Sequence, residues 1–546
     1  MGARRSMLPK DRHVNTSLLL VLVGGVLIAA LARRYRLSSA LVLVVAGLAI
    51  GVIPGVPTVG LAPDFVMSVI LPPLLWSAGL ESSYVALRKN IRPIALMAVG
   101  LPVATTFAVG YVAYHAAPEL TPAAALTLGA IVAPTDAVSA TSIGRRLGLP
   151  RRIMTLLGGE SLLNDPTALS LYKVALAGAV GTAVGLAHGL GTFALAAAGG
   201  VVIGGLFGAV IDFIRSRLLD DPVMESAVGL VAPFVVYSAA EYIHGSGVVA
   251  VVVAALMLGQ RATHAGYATR LQDTAVWKAV QLILEAVAFL LIGLQLPGVV
   301  RAMRGIPASS VVWSSVAVFT TVLLVRIVWI YVFTYVPRAL FAGSREDDPK
   351  PAPAQVFVVA WAGMRGVVSL AAAFAVPMTT LSGAAFPGRP QIVFLTFVVV
   401  IGTLLLHGLT LPWVIRIFGV HSHDAHRDAV ELAAAQDRAA RAAADRLDQL
   451  ISDERQRGPA DARESAAEVL QRWNERRRNA GWERLGRSDQ EIGESPTSAY
   501  KRLRLEMLAA ERKTFIEERD AGRIDDEVLR GALHGLDLEE ATLRRD

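Results

Sequence analysis

Long apolar runs occupy residues 16 to 417 of the chain, and short polar connectors separate one run from the next. A helix needs roughly 20 apolar residues to cross the hydrocarbon of a bilayer, and it satisfies its backbone polar groups internally, as a spanning segment must. The pattern therefore predicts about thirteen membrane-spanning helices. They lie near residues 16–32, 38–55, 63–80, 91–114, 121–143, 154–180, 190–213, 224–243, 246–260, 277–299, 311–336, 354–377 and 391–417.

Beyond the last apolar run, the chain becomes dense in Arg, Asp and Glu. Residues 428 to 451 combine these charges with spaced leucines, which is typical of a solvated helix or short coiled coil. Overall 54% of the residues are hydrophobic and 18% are charged, whereas soluble proteins contain about 25% charged residues. We therefore predict an all-α polytopic membrane protein with an N-terminal segment (1–15), a transmembrane domain (16–420) and a helical tail (421–546).

Arginine and lysine are distributed unevenly among the connectors. Those after the odd-numbered runs hold most of them, whereas those after the even-numbered runs hold only Arg301, Arg304 and Arg389. Basic connectors stay on the cytoplasmic side of a membrane. The distribution therefore predicts a multi-pass protein of the cell membrane, with the odd-numbered connectors and the tail in the cytoplasm. The basic N-terminus, with Arg4 and Arg5, is the exception.

Ionisable residues inside the apolar runs form a short list. A charge at mid-bilayer costs at least ~2.5–3.5 kcal/mol, so such residues often mark an ion or proton pathway. The alternative is a buried ion pair that only orients helices. For Glu241 and Glu285 both interpretations stay open, whereas the surroundings of two aspartates favour a pathway. The full set is Asp136, Glu160, Asp165, Glu241, Glu285, Arg326 and Arg365.

Asp136 follows a proline inside the fifth run. Pro134 removes a backbone donor and frees carbonyls in the preceding turn, a break tolerated only where protein or water lines it. Thr135 adds a hydroxyl beside the Asp136 carboxylate. Small cations prefer oxygen ligands of this kind, so Thr135 and Asp136 are candidate ligands.

Asp165 has similar surroundings in the sixth run. Ser161 lies four residues before it and shares its helical face, as Glu160 does with Asn164. Pro166 cannot donate to the preceding turn, which leaves another carbonyl free near Asp165. This run therefore supplies a carboxylate, a hydroxyl and a free carbonyl at mid-membrane depth.

The twelfth run carries Arg365 between Gly363 and Gly366, which indicates an interrupted or closely packed helix. The fifth and twelfth runs must cross the membrane in opposite directions. Broken helices at corresponding positions of two oppositely oriented halves are the best sequence indication of a transporter site. We therefore predict two inverted repeats, with their broken helices crossing at the site.

Several motifs, in order along residues 16–417, resemble those of the cation/proton antiporter superfamily, specifically its electroneutral Na⁺/H⁺ exchanger branch. Each motif is weak alone, but together they are specific. They are Ala133-Pro134-Thr135-Asp136-Ala137-Val138, Gly159-Glu160-Ser161-Leu162-Leu163-Asn164-Asp165, Pro233 to Glu241 with Ser246-Gly247-Val248, Leu291-Ile292-Gly293-Leu294-Gln295, and Gly363-Met364-Arg365-Gly366-Val367-Val368.

The resemblance implies a dimerisation bundle and a six-helix core, in which the broken helices cross beside the sixth helix. It implies that Asp165 alternately holds H⁺ and Na⁺, with a site completed by Asp136, Thr135 and Ser161. Asn164 is counted with these ion-binding residues, because the Asn164-Asp165 pair resembles that of electroneutral members.

The resemblance also assigns supporting roles to charges near the site. Arg326 or Arg365 would pair with Glu160 as internal scaffolding, and Glu285 is expected among the supporting ion pairs. Ser77 stands where the third helix of many relatives carries an acidic residue. Glu285 stands where prokaryotic relatives often have asparagine, and it resembles the glutamate of animal exchangers. These departures bear on ion preference and pH dependence, not on the reaction class.

The expected function is secondary antiport of H⁺ against a monovalent cation, with Na⁺ first and Li⁺ or K⁺ as alternatives, serving sodium transport and pH homeostasis. The resemblance implies a homodimer in the lipid bilayer. We expect no enzyme activity, cofactor or nucleic-acid partner. The chain has no cysteine, which excludes thiolate metal sites, and it has no Gly-Lys dipeptide, which excludes a Walker P-loop.

Rival interpretations are less well supported. Two membrane aspartates suit an intramembrane aspartyl protease, but its Gly-x-Gly-Asp motif is absent. A channel should show rings of carbonyls or charges from repeated elements, and the sequence shows none. A K⁺/H⁺ antiporter stays open. His421, His423 and His426 could bind metal or sense pH, although a solvated segment is the simpler interpretation.

Overall fold

The computed structural model describes residues 9–35, 37–53, 66–181, 186–219, 221–262, 266–340, 351–420, 424–455, 466–475, 478, 496–521, 523–524 and 526–544. These residues form an all-α protein, which confirms the predicted fold class. The helices of the apolar part are α1 (Pro9–Arg34), α2 (Ser39–Val52), α3 (Leu71–Glu81), α4 (Tyr84–Lys89), α5 (Ile91–Ala116), α6 (Pro122–Val132), α7 (Ala137–Leu147), α8 (Arg151–Val180), α9 (Leu186–Arg217), α10 (Pro222–Tyr242), α11 (Gly247–Arg261), α12 (Tyr267–Ala302), α13 (Ala308–Leu340), α14 (Pro353–Trp361), α15 (Val367–Phe374) and α16 (Arg389–Ile417).

The chain divides into two compact units, Met1–His421 and Ser422–Asp546. α1 begins at Pro9, ahead of the predicted limit between the N-terminal segment and the transmembrane domain. The functional division of the chain into these domains stays a prediction.

Every predicted apolar run overlaps a helix or a pair of helices. Six helices in the described residues are long and apolar enough to cross a membrane, so the count of about thirteen spans remains a prediction. The fifth and twelfth runs are each split in two, as α6 with α7 and α14 with α15. A π-helical turn, Val66–Ile70, runs directly into α3, and another lies within α5 at Leu96–Gly100.

The helices of the first unit pack as two groups. One contains α1, α2, α3 and α9 to α12, and the other contains α5 to α8 and α13 to α16. α8 lies at the boundary, because it packs on α6 and α7 of its own group and on α3 and α11 of the other. The broken helices therefore belong to one group, and α8 connects that group to the other.

Close helix approach depends on glycine in the first group. A Cβ on Gly293 of α12 would collide with the Val44 carbonyl and lie 2.8 Å from the Cα of Gly47 in α2. Small residues allow membrane helices to approach closely enough for extensive van der Waals contact. The Gly47–Gly293 contact therefore explains why α2 and α12 pack so tightly.

The second unit is helical, as predicted, with α17 (Asp424–Arg455), a helical segment at 466–475, α18 (Pro496–Asp520) and α19 (Asp526–Leu543). α18 packs on α19, and Arg504 contacts Glu539 through bonds of 2.6 and 2.8 Å. Hydrogen bonds from Arg504 lower the pKa of the Glu539 carboxyl. Arg512 of α18 also contacts Asp537 and Glu540 of α19, each over 2.7 Å, so several ion pairs join the two helices.

The predicted orientation can be tested with introduced cysteines, because the chain has none of its own. Ser83 and Ser382 are both exposed serines and lie in connectors that the sequence assigns to opposite sides. We expect a membrane-impermeant maleimide to label Ser382→Cys in intact cells, and Ser83→Cys only after permeabilisation. The reverse pattern would overturn the orientation derived from the basic connectors.

Candidate cation and proton site

The two broken helices meet through their unwound segments. Residues 133–136 separate α6 from α7, and residues 362–366 separate α14 from α15. The Asp136 backbone N–H donates to the Met364 carbonyl over 2.8 Å. Backbone groups at membrane depth need protein partners, and each break supplies one for the other. The breaks therefore bring the neighbourhoods of Asp136 and Arg365 together.

α8 is hydrogen-bonded to the first break. Asn164 Nδ2 donates to Thr135 Oγ1 over 2.8 Å and to the Thr135 carbonyl over 3.3 Å. Thr135 Oγ1 in turn donates to Glu160 Oε1 over 2.8 Å. A threonine hydroxyl has one proton and two lone pairs, so these contacts leave one lone pair of Thr135 for a cation.

A cavity of about 1030 Å³ lies beside the crossing. Thr135, Asp136, Ser161 and Asp165 all line it, as does Glu285. Asp165 is only 6% exposed. The structure thus brings two carboxylates and two hydroxyls, all predicted from the sequence, to one cavity, and such oxygen atoms are suitable ligands for a small cation.

Asn164 differs from the other predicted ion-binding residues. It is 1% exposed and does not line the cavity. Its amide nitrogen is used to hold Thr135. In this structure Asn164 supports the candidate ligand Thr135, and its predicted place among the ion-binding residues stays a prediction.

The cavity extends to the end of the helices where basic residues cluster. Arg33 in the last turn of α1, Arg145 in the last turn of α7 and Arg416 in the last turn of α16 line it and are exposed. Arg145 is paired with Glu81 over 3.1 Å. This is the end that the sequence predicts to be cytoplasmic, so the structure corresponds to an arrangement open on that side.

Glu160 is paired with Arg326 rather than with Arg365. Arg326 Nη2 donates to Glu160 Oε2 over 2.9 Å, and Nη1 contacts Oε1. Arg326 also donates to the carbonyls of Val359 and Ala360, both over 3.1 Å. These carbonyls belong to the last turn of α14, where helical partners are missing. One buried ion pair therefore joins α8, α13 and the end of α14.

Arg365 has a different role from the predicted ion pair with Glu160. Its Nε donates to the Val132 carbonyl over 3.2 Å and its Nη1 to the Gly363 carbonyl over 2.5 Å. Val132 is the last residue of α6, whose terminal carbonyls lack helical partners. A cation at a helix C-terminus also complements the helix dipole. Arg365 therefore caps the first half of one broken helix from within the other.

The remaining membrane acids have local partners. Glu285 accepts a hydrogen bond from Gln281 over 2.8 Å, whereas an ion pair was predicted, and no ion pair involves it in the described residues. Glu241 accepts from the Gly247 N–H over 3.2 Å and lies 3.6 Å from Lys173 Nζ. Glu241 therefore fits the alternative of a helix-end contact rather than a pathway residue.

The remaining sequence-based candidates are Ser77 and three histidines of the tail. Ser77 donates to the Leu74 carbonyl of its own helix over 2.9 Å. His421 and His423 lie outside the described residues, as does the side chain of His426. Sequence reasoning missed His407, which is 1% exposed in α16. An ionisable residue in the middle of an apolar run was the signal that could have identified it.

Gly366 leaves the space that Asp136 occupies. A Cβ at Gly366 would lie 2.7 Å from Asp136 Cβ. We expect Gly366→Ala to displace the carboxylate and to lower the exchange rate roughly tenfold or more, since displacements near 1 Å can have such effects. The matched control is Gly205→Ala in α9, where a Cβ meets nothing within 4 Å. Equal rates for both variants in a vesicle exchange assay would contradict this account.

The family described as sodium/hydrogen exchanger, transmembrane, matches residues 18–417. The chain belongs to this family. The predicted membership of the cation/proton antiporter superfamily is thereby confirmed. Members of this family are transmembrane exchangers, so the family is one of transporters rather than enzymes.

Individual proteins agree with this assignment. An uncharacterised Na⁺/H⁺ exchanger of Mycobacterium tuberculosis is 33% identical to this chain over 554 residues. The aligned region covers 100% of this chain and 99% of the relative. A sodium, potassium, lithium and rubidium/H⁺ antiporter of Bacillus pumilus is 31% identical over 67% of this chain and 56% of its own length. The solved sodium proton antiporter MjNhaP1 of Methanocaldococcus jannaschii shares the fold, with TM-score 0.55, 18% identity, and coverage of 74% of this chain and 98% of its own.

Proposed function

We propose that this exchanger carries H⁺ in one direction and a monovalent cation, Na⁺ first, in the other, with Asp165 holding either one or the other. The observation that supports this proposal best is the convergence of Asp165, Asp136, Thr135 and Ser161 on one cavity at the broken-helix crossing. A proton on the Asp165 carboxylate occupies an oxygen lone pair that a cation needs. The two substrates therefore compete, and exchange follows when the loaded site alternates between the two sides.

The charges around the crossing support electroneutral exchange. Glu160, Asp136 and Asp165 contribute three negative charges when ionised, and Arg326 and Arg365 contribute two positive charges. One proton or one monovalent cation brings these five side chains to neutrality, with Glu285 on the same cavity wall counted as protonated. Because buried net charge is costly, the loaded states with H⁺ and with Na⁺ are the ones suited to movement, and the stoichiometry is one for one.

K⁺/H⁺ exchange is the second candidate. The Bacillus pumilus relative is described as an antiporter of sodium, potassium, lithium and rubidium, so similar chains are compatible with more than one alkali cation. Carboxylate and hydroxyl oxygens of Asp136, Asp165, Thr135 and Ser161 line the cavity, and all alkali cations accept oxygen ligands of this kind. Na⁺ stays our first substrate, with Li⁺ and K⁺ next.

The setting of the transporter belongs to the same proposal. We place it in the cell membrane with its tail in the cytoplasm, as a homodimer that serves sodium transport and pH homeostasis. A cavity that reaches the crossing from the basic end suits alternating access better than a pore. A protease would need its two aspartates to share a water, whereas the hydroxyls of Thr135 and Ser161 on the same cavity support a cation site.

The test is dissipation of an imposed pH gradient in proteoliposomes. Na⁺, Li⁺, K⁺ and Rb⁺ are added in turn, at zero membrane potential and at an imposed potential. We expect cation-dependent dissipation, strongest with Na⁺, at rates that do not change with potential. Rates that change with potential would overturn the one-for-one stoichiometry. Protein that is folded but inactive with every cation would overturn the proposed exchange itself.

A further inference from the structure

The unwound segment between α14 and α15 is held from a third helix. The Arg365 backbone N–H donates to Thr403 Oγ1 of α16 over 3.1 Å. Thr403 Oγ1 donates its own proton to the Val400 carbonyl over 3.2 Å. The threonine is fully buried. Its hydroxyl therefore has a fixed direction and can accept from the N–H of an unwound residue that has no helical partner.

His407 lies one turn further along the same face of α16. Its ring packs edge-on against Trp361, the last residue of α14, with ring centroids 5.3 Å apart. Trp361 Nε1 donates to Thr410 Oγ1 over 2.8 Å. Consecutive turns of α16 thus contact the end of α14 and the segment that follows it.

One backbone hydrogen bond connects these contacts to the candidate cation site. His407 packs against Trp361 just before this segment, and Thr403 holds its backbone at Arg365. Between them, the Met364 carbonyl accepts from the Asp136 N–H over 2.8 Å. Gly366, the next residue, lies against the Asp136 side chain. The path of this segment therefore sets the position of Asp136.

We propose that Thr403 and His407 are positioning residues of the cation site, which fix the unwound segment 362–366 and through it the Asp136 carboxylate relative to Asp165. Neither side chain lines the cavity in the described structure, so neither contacts the ion. Binding sites need their ligands within about 0.5 Å of the productive geometry. Loss of the contacts made by Thr403 or His407 therefore weakens cation binding more than it slows the movement of the loaded protein.

The test compares isosteric threonine variants and rests on the proposed exchange. Thr403→Val removes the acceptor, and Thr403→Ser keeps it. Thr396→Val is the matched control, because Thr396 is also fully buried in α16 and its hydroxyl donates only to the Ile392 carbonyl of its own helix, over 2.8 Å. We expect Thr403→Val to raise the half-saturating Na⁺ concentration roughly tenfold with the maximal rate within about twofold, and both other variants to resemble the wild type.

His407 gives a second, independent series. His407→Ala loses the ring contact with Trp361, whereas His407→Phe keeps an aromatic ring at this position. We expect His407→Ala to raise the half-saturating Na⁺ concentration and His407→Phe to restore most of the loss. Equal values for Thr403→Val and Thr396→Val, or no rescue by His407→Phe, would overturn the positioning role while wild-type exchange still stood.

Amide hydrogen exchange tests the contact between Thr403 and the Arg365 N–H without a transport measurement. We expect faster exchange in peptides covering residues 362–366 of Thr403→Val than in those of Thr396→Val, because the Arg365 N–H loses its acceptor. Unchanged protection in this segment would overturn the positioning role of Thr403, even for a protein that proved inactive with every cation. Inactive wild-type protein with the expected loss of protection would instead overturn only the proposed exchange.

Discussion

Asp165→Asn is expected to reduce cation-dependent proton movement in proteoliposomes to the rate of protein-free vesicles. The amide keeps the size of the side chain, but it carries no negative charge and takes up no proton at neutral pH. Because Asp165 lines the cavity beside Asp136 and Ser161, the variant loses the group for which the two substrates compete. Both half-reactions, proton release and cation release, therefore stop together.

The control for this variant is Asp212→Asn in α9. Asp212 forms an ion pair with Arg261 over 2.5 Å, and both side chains are partly exposed. Surface pairs of this kind contribute about 0–1 kcal/mol, so Asp212→Asn should transport like the wild type. Both variants should give the same elution profile in detergent. Continued exchange by Asp165→Asn, at more than a small fraction of the wild-type rate, would remove Asp165 from its proposed role.

The second large effect concerns stability. Arg326→Met should lower the free energy of unfolding by about 3–5 kcal/mol, because it leaves the Glu160 carboxylate buried without its partner. Both side chains are 2% exposed, and the pair holds α8 against the end of α14. Replacing both members, as Glu160→Gln with Arg326→Met, should recover much of this loss, since no uncompensated charge remains.

Denaturant unfolding in detergent measures this prediction. Arg145→Met is the matched control, because Arg145 pairs with Glu81 at the exposed cavity mouth over 3.1 Å. Exposed pairs contribute about 0–1 kcal/mol, so this control should change stability little. A similar loss for Arg326→Met and Arg145→Met would show that the buried pair has no special structural role, and a double variant weaker than Arg326→Met would contradict the charge argument.

The sequence alone predicts the structural features that depend on local chemistry, such as the two helix breaks. Pro134 predicts the break in the fifth run, and Gly363 with Gly366 predict the break in the twelfth, because these residues disfavour continuous helix. Both breaks are present. Asp136 and Asp165 line one cavity, and their role in ion binding stays a prediction. α4 (Tyr84–Lys89) was missed, because a helix so short gives no membrane-length apolar signal.

The roles of the arginines depend on tertiary geometry. Arg326 and Arg365 both lie in apolar runs, and composition alone cannot distinguish a partner of Glu160 from a cap of α6. The distinction comes from how α13 and α14 pack on α8, which brings Arg326 to the carboxylate and directs Arg365 to the Val132 carbonyl. The contacts of Asn164 depend on tertiary geometry in the same way, because its amide holds Thr135, and its place among the ion-binding residues stays a prediction.

The most direct test of the central claim measures Na⁺ entry into proteoliposomes at a series of proton concentrations on the side of Na⁺ addition. If Asp165 holds either H⁺ or Na⁺, protons inhibit competitively. The half-saturating Na⁺ concentration should then rise in proportion to the proton concentration on the acidic side of the activity range, with an unchanged maximal rate. A constant half-saturating concentration with a falling maximal rate would contradict competition at one carboxylate.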